Sequence, residues 1–418
     1  MPRIQPSAGA VGTLNKLLQT NDAKNSIFFV NFFANHKVHW LCSLYELGAS
    51  SERLEAAYQF RLFRLEPVRP TTIPEHHILL DAEVSALKGE YSHETYSNVR
   101  ASIIRELTTK TFEEVFDAHV PKLIPGLLGE AIHPLIHLGY ACEFNDKSTL
   151  AQALAYSVMG YYPTGELVDT LPASATSASA EGGKRAFEII AEVAAKDRHV
   201  IPKKPGSIGF FDDNIDMLFE AHGDEVKALF SKWVLPVDAA GNVNVDAALK
   251  ELAIATVYAY AGPALNITNN RPQFFVSHPV NAIQSARAIL PHLKNEADKV
   301  RLLKVLWLAT LGVYMVLGSH DRISFGNITE YVPQLSLQDA QVSSLVDSDD
   351  EEARWAPILK IALEANEVHV VKTVRAMLEN ERAWGRDIPE CNNIWWRTAL
   401  LTADIVGIDG GWNMLPSP

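Results

Sequence analysis

The chain has 418 residues, 47% hydrophobic and 21% charged, the balance of an ordinary globular protein long enough to bury a large core. Its net charge of -13 disfavours nucleic acid and anionic membrane as partners, since both attract basic surface. Cys42, Cys142 and Cys391 lie far apart with no CxxC pair, which indicates no disulfide framework and fits a reducing compartment.

Met1 to Leu14 lacks a basic-then-apolar leader pattern, and no charge-free run approaches a membrane span. A cytoplasmic protein is the expectation. The glycosylation sequons at Asn266 and Asn327 then read as chance matches. Ser26 to Leu47 is apolar nearly all round and predicts a helix stopped by Gly48, with a second helix from Ser51 to Phe63. Pro67, Pro70 and Pro74 mark a loop before a helix over Glu75 to Lys88. Helices follow at Thr111 to Val120, at Pro125 to Phe144, where Pro134 must restart or kink the run, and at Leu150 to Met159.

The Ala-, Ser- and Gly-rich stretch near 173–183 reads as a mobile loop. A helix over Lys184 to Ala195 is followed by an irregular stretch from Arg198 to Asp213. Val245 to Tyr260 and Pro279 to Leu290 are apolar helices. Asn295 to Leu317 is more apolar still, but its charges from Glu296 to Lys304 make it a buried helix rather than a membrane span. An acidic loop near 336–352 leads into a long helix from about Pro357 to Trp384, and a last helix covers Asn392 to Ile405. Period-2 alternation is scarce and no repeat recurs at a fixed period. The pattern predicts an all-α, bundle-like fold, one domain over 1–418, around an internal metal and substrate pocket.

Four histidine-bearing stretches carry the chemistry. Asn35-His36-Lys37-Val38-His39 and His133-Pro134-Leu135-Ile136-His137 have i,i+3 and i,i+4 spacings able to place two ligands on one helix face. The others are Ser277-His278-Pro279 and Glu367-Val368-His369-Val370-Val371-Lys372. Fe(II) or Zn(II) accepts imidazole readily, and helical scaffolds aim such ligands inward from several helices. A single histidine on an apolar face is ordinarily a core residue bonded to a backbone carbonyl; four stretches together make convergence on one metal ion the expectation. Proline after His133 and His278 puts each at a helix start or kink, as a plain helix N-terminus also would.

Lys372 among valines is unusual, because lysine is seldom buried without a partner. An ammonium cannot ligate a cation, but a buried lysine loses its proton more easily, and the neutral amine can take up carbon dioxide to become a metal-binding carbamate. A stem buried along the helix with its head in solvent, or a salt bridge, is the better account of the spacing alone. No GxGxxG follows a strand, and neither a GxSxG elbow nor a P-loop is present. Phe274, Phe275, Trp395 and Trp396 line a pocket or fill a core.

In these stretches the chain resembles the questin oxidase-like family of fungal polyketide pathways. The matches are Asn35-His36 leading into Leu44-Tyr45-Glu46-Leu47-Gly48-Ala49-Ser50, then His133 to Tyr140, then His369-Val370-Val371-Lys372. The resemblance runs from about Ser26 to Ala403. It implies a largely helical enzyme that opens the central ring of an anthraquinone to a benzophenone-type product. It implies His36, His133, His278 and His369 as metal ligands, Lys372 as a carbamylated ligand, and His39 and His137 as residues that orient ligands or contact substrate phenols. Such enzymes are described as Baeyer–Villiger oxidases using reduced nicotinamide; the missing flavin fingerprint fits a non-haem Fe(II) site using O2, with NADPH supplied through a partner reductase. A metal-free NADPH-dependent Baeyer–Villiger monooxygenase and a non-catalytic binder of aromatic metabolites remain the alternatives.

Overall fold

A computed structural model describes residues 9–29, 33–72, 92–170, 183–196, 211–266, 268, 270–317, 322–333, 337, 342, 344–408 and 410–413. The fold is helical apart from one small sheet. The chain divides into two compact units, with the boundaries falling inside two of its helices. The predicted helix at Glu75 to Lys88, nearly all of the loop near 173–183 and most of the stretch from Arg198 to Asp213 lie outside the described residues.

The N-terminal unit comprises Gln5–Pro172 and Ser285–Leu306. Its helices are α1 (Ala10–Lys24), α2 (Lys37–Glu46), α3 (Ser51–Gln59), α4 (His93–Leu107), α5 (Phe112–Leu123), α6 (His133–Phe144), α7 (Lys147–Met159) and α8 (Gly165–Thr170). Starts are set by side-chain caps: Ser50 accepts from Arg53 N, Asp146 accepts from Thr149 N, and Thr111 with Glu114 forms a reciprocal capping box. Helices α6 and α7 are buried nearly all round, as a helix with apolar residues on every face must be. At Gly139 a β-carbon would lie 2.4 Å from Ser285 Cα, so glycine permits α6 its close approach to the 285–306 segment.

One expectation needs correction here. Ser26 to Leu47 does not begin as helix. Asn25–Phe29 forms β1 of a three-stranded antiparallel sheet, pairing with β2 (Phe33–Ala34) and β3 (Leu65–Pro67). Ile27, Phe28 and Phe29 suit a half-buried strand, and pairing overrides their helix-compatible pattern. His36 is consequently the residue before α2, not a residue within a helix. Pro134 restarts the run as its position predicts: 124–126 and 130–132 are short 3-10 turns, and α6 begins at His133.

The C-terminal unit comprises Met1–Ile4, Ala173–Gln284 and Trp307–Pro418. Its helices are α9 (Ala186–Ala194), α10 (Phe211–Ser231), α11 (Val245–Ala261), the start of α12 (Ser277–Ile289), the end of α13 (Glu296–Leu317), α14 (Phe325–Thr329), α15 (Glu351–Glu364), α16 (Val368–Trp384) and α17 (Ile394–Leu401). Helix α13 is long and apolar enough to cross a membrane by length alone, but its apolar window is 94% buried. The expected single helix from Pro357 to Trp384 is two. Ala365 leaves helical geometry at ψ 132°, and the Glu367 side chain caps α16 by accepting from Val370 N at 3.1 Å. After α17 the chain widens into a π turn at Thr402–Val406. Helices α1, α4, α8, α10 and α14 were not anticipated; α10 is interrupted at His222 (φ -134°), next to Gly223.

Behind α16, Arg354 and Glu381 form a fully buried ion pair. Trp355 Nε1 donates to Glu381 Oε1 at 3.1 Å, and Trp396 Nε1 donates to the Arg354 carbonyl at 2.9 Å. Removing one partner of such a pair strands a buried charge, so this network fixes α16 against α15 and α17. Trp395 and Trp396 belong to this core.

Candidate metal centre

In the N-terminal unit four histidines form two rungs across α2 and α6. His36 Nε2 lies 2.9 Å from His133 Nε2, and His39 Nε2 lies 3.0 Å from His137 Nδ1. The helical spacings therefore do not pair ligands along one helix; they pair each histidine with one on the facing helix. His39 also stacks on Tyr140, ring centroids 5.0 Å apart at 16°. Tyr140 in turn shares a 2.6 Å hydrogen bond with Ser43, locking α2 on α6. His39 and His137 are fully buried, and burial pushes His137 down to about 4 against the opposing pull of Gln152, leaving the ring neutral at pH 7.

His133 is delivered by strained backbone. Glu130, Ala131 and Ile132 all have left-handed φ, at 54°, 52° and 68°, a region a β-branched residue rarely enters. The turn is wedged in place. A β-carbon on Gly129 would meet the Gly160 carbonyl at 2.0 Å, and one on Gly126 would meet the Tyr161 ring at 2.0 Å. Thr164 and Tyr162 hold the same segment by backbone bonds to Pro125 and Gly126. The result is that the Glu130 carbonyl accepts from His133 Nδ1 at 2.5 Å.

In the C-terminal unit His278 and His369 are buried side by side, ring centroids 4.9 Å apart. His278 Nδ1 donates to the Phe274 carbonyl at 3.2 Å, at the start of α12. His369 Nδ1 donates to Glu367 Oε1 at 2.7 Å. The Phe274 ring stands edge-on to His369 at 4.5 Å. Burial would push the Glu367 carboxyl up, but His369 and the Trp412 hydrogen bond hold it down to about 2, so it is ionised and accepts only. Burial and the Lys372 charge lower His369 in turn, against the pull of Glu367.

Lys372 sits one turn beyond His369 on α16, 2% exposed, its Nζ without a hydrogen-bond partner among the described residues. Burial brings it down to about 7, with Glu367 opposing. Neither the solvent-reaching head nor the salt bridge considered from sequence is what the structure contains.

The donors present fit a borderline divalent metal. His133, His278 and His369 each commit Nδ1–H to an oxygen, which leaves the Nε2 lone pair as the ligating atom. Two imidazole nitrogens each about 2.1 Å from one ion at a right angle stand about 3 Å apart. The 2.9 Å separation in the His36–His133 rung matches that value. Sequence reasoning missed Glu367 and the Glu130 carbonyl as orienting groups; the only signal for Glu367 was an acidic residue two positions before His369.

A family model described as questin oxidase-like matches residues 33–377. That range contains every histidine of the two groups and Lys372. The questin oxidase of Aspergillus terreus (strain NIH 2624 / FGSC A1156) is 30% identical over 156 residues, an alignment spanning 35% of this chain and 34% of that relative. Two longer alignments are weaker in identity. The Baeyer-Villiger monooxygenase AacuH of Aspergillus aculeatus is 23% identical over 95% of this chain and 86% of its own length. The Baeyer-Villiger monooxygenase dmxR6 of a Cryptosporiopsis species is 24% identical over 93% and 87%.

Proposed function

The chain belongs to the questin oxidase-like family, and from that premise we propose an oxygenase that cleaves a carbon–carbon bond in the central ring of an anthraquinone, or of its reduced form, to a benzophenone-type product. The names oxidase and monooxygenase on the relatives support an oxidoreductase. One observation carries the metal part of the reading: buried imidazoles whose Nδ1–H is already spent, beside a buried, unpartnered lysine. We assign His36, His133, His278, His369 and Lys372 as the ligands of one Fe(II).

When bound, Fe(II) supplies activation of O2. The residues of the chain do the rest. Glu367, the Phe274 carbonyl and the Glu130 carbonyl fix which ring nitrogen faces the ion. The Lys372 amine, brought near neutrality by burial, adds carbon dioxide and releases a proton, which turns a donor-only cation into an anionic oxygen ligand. His39 and His137, the second rung, hold the first rung in register or contact a substrate phenol, with His137 kept neutral by burial and able to accept a hydrogen bond. A separate NADPH-dependent reductase supplies the electron-rich hydroquinone form.

The test is elemental analysis of the purified protein with oxygen uptake on an anthraquinone before and after chelation. About one iron per chain, lost with activity on chelation and restored by Fe(II), is the expected result. Full NADPH-dependent turnover without stoichiometric metal would overturn it, and the metal-free Baeyer–Villiger reading would take its place.

A further inference from the structure

The segment 410–413 is bound across the start of α16 by contacts that neither the sequence pattern nor the ligand assignment explains. Trp412 Nε1 donates to Glu367 Oε2 at 2.9 Å, the carboxylate whose other oxygen holds His369. Asn413 O accepts from Phe274 N at 2.8 Å, the residue whose carbonyl holds His278. Arg271 reaches the Gly411 carbonyl at 3.2 Å, and Asn366 N donates to Ile408 O at 3.2 Å. Two glycines make this approach feasible. Gly410 has φ 79°, and a β-carbon there would sit 2.6 Å from Glu367 Cγ; one on Gly411 would collide with Arg271 at 1.9 Å.

We propose that Trp412 is a positioning residue for His369, acting through Glu367, and that Gly410 and Gly411 exist to let it reach that carboxylate. The proposal rests on His369 being a metal ligand. Glu367 accepts from His369 Nδ1, Val370 N and Trp412 Nε1. The first two come from the helix the carboxylate caps, so they allow the side chain to swing with the helix end. The indole comes from a segment 45 residues away and adds a tether from outside the helix to Oε2, which Val370 N also reaches. With both oxygens fixed, Oε1 can face only Nδ1, and the imidazole keeps one tautomer and one ring orientation. The Trp412 ring, 6.4 Å from the His369 ring at 87°, adds an edge contact that blocks ring rotation.

The test compares full-length W412F, which keeps an aromatic ring but removes the donor, with G410A, which keeps the donor but pushes the segment off Glu367. Fe(II) binding to metal-free protein is measured by competition with a colorimetric chelator. The His369 tautomer is read in metal-free protein by nitrogen NMR of labelled histidine. Each variant is expected to bind Fe(II) about tenfold more weakly, the double variant no more so, with the urea midpoint unchanged and the His369 signal shifted from pure Nδ1–H to a mixture. Wild-type Fe(II) affinity in W412F, with H369A unable to bind, would overturn the positioning role and leave the ligand assignment standing. Should wild type itself bind no metal, the ligand assignment falls alone, and the tautomer signal decides: unchanged in both variants, it refutes the relay.

Discussion

His133 and His369 both stand in the first turn of their helices, as the first and second helical residues, yet they are held by opposite means. His133 donates to a backbone carbonyl presented by three consecutive left-handed residues. His369 donates to a carboxylate that also caps its helix. Left-handed geometry costs roughly 1–2 kcal/mol per residue, so the first arrangement depends on the surrounding wedge of Gly126, Gly129 and Tyr161 to impose it. The second depends on one side chain and its charge. A backbone-held ligand should therefore resist side-chain substitution and fail when its packing is disturbed; a carboxylate-held ligand should fail at a single atom.

The largest test removes the rings. H133A and H369A are each expected to lose the same single iron and to drop oxygen uptake by at least about 100-fold, on the scale of losing a ligand rather than its orienting group. Iron retained in one of the two would separate the histidine groups into independent sites. Next, E367Q should weaken Fe(II) binding by about 10–100-fold, because an amide offers one acceptor oxygen where the carboxylate offers two. Loss of the cap should also remove about 1 kcal/mol of stability, read by urea unfolding.

On the His133 side, G129A should cost about 1–3 kcal/mol, since the Gly160 carbonyl must move to admit the new β-carbon. Its Fe(II) affinity should fall with its stability, unlike that of E367Q. A131G is the milder counterpart. Relief of the left-handed strain offsets the lost methyl, about 0.8 kcal/mol, and glycine's extra chain entropy, so the urea midpoint should scarcely move.

The smallest effect is an acid control away from both histidine groups. Hydrogen bonds from Lys184 and Lys232 depress the Glu192 carboxyl from 4.5 to about 2. A depressed carboxyl stabilises the fold above its unfolded value, and that stabilisation fades as pH falls from about 4.5 toward 2. E192Q should flatten the stability curve in that window and leave iron content unchanged. Iron loss in this variant would mean that stability, not orientation, governs metal retention throughout.

The residues themselves declared much of this molecule. Helical periodicity located α3, α5, α7, α9, α11, α12, α13 and α17 within about a turn, because an amphipathic or wholly apolar run records its own burial. The His-Pro dipeptide at His133 marked a restart, since proline disfavours helix in the residue before it. The oddity of a lysine among valines pointed to Lys372, and its burial is real. Tertiary structure alone decided which nitrogen meets which. His36 and His133 are 97 residues apart, and their rung depends on the register of α2 on α6, which no local pattern encodes. The break before α16 was equally hidden: Glu367 is unremarkable inside a helical pattern and becomes a cap only because Val370, His369 and Trp412 all donate to it. Spacing along a helix is local chemistry; the pairing of donors across helices is set by long-range packing.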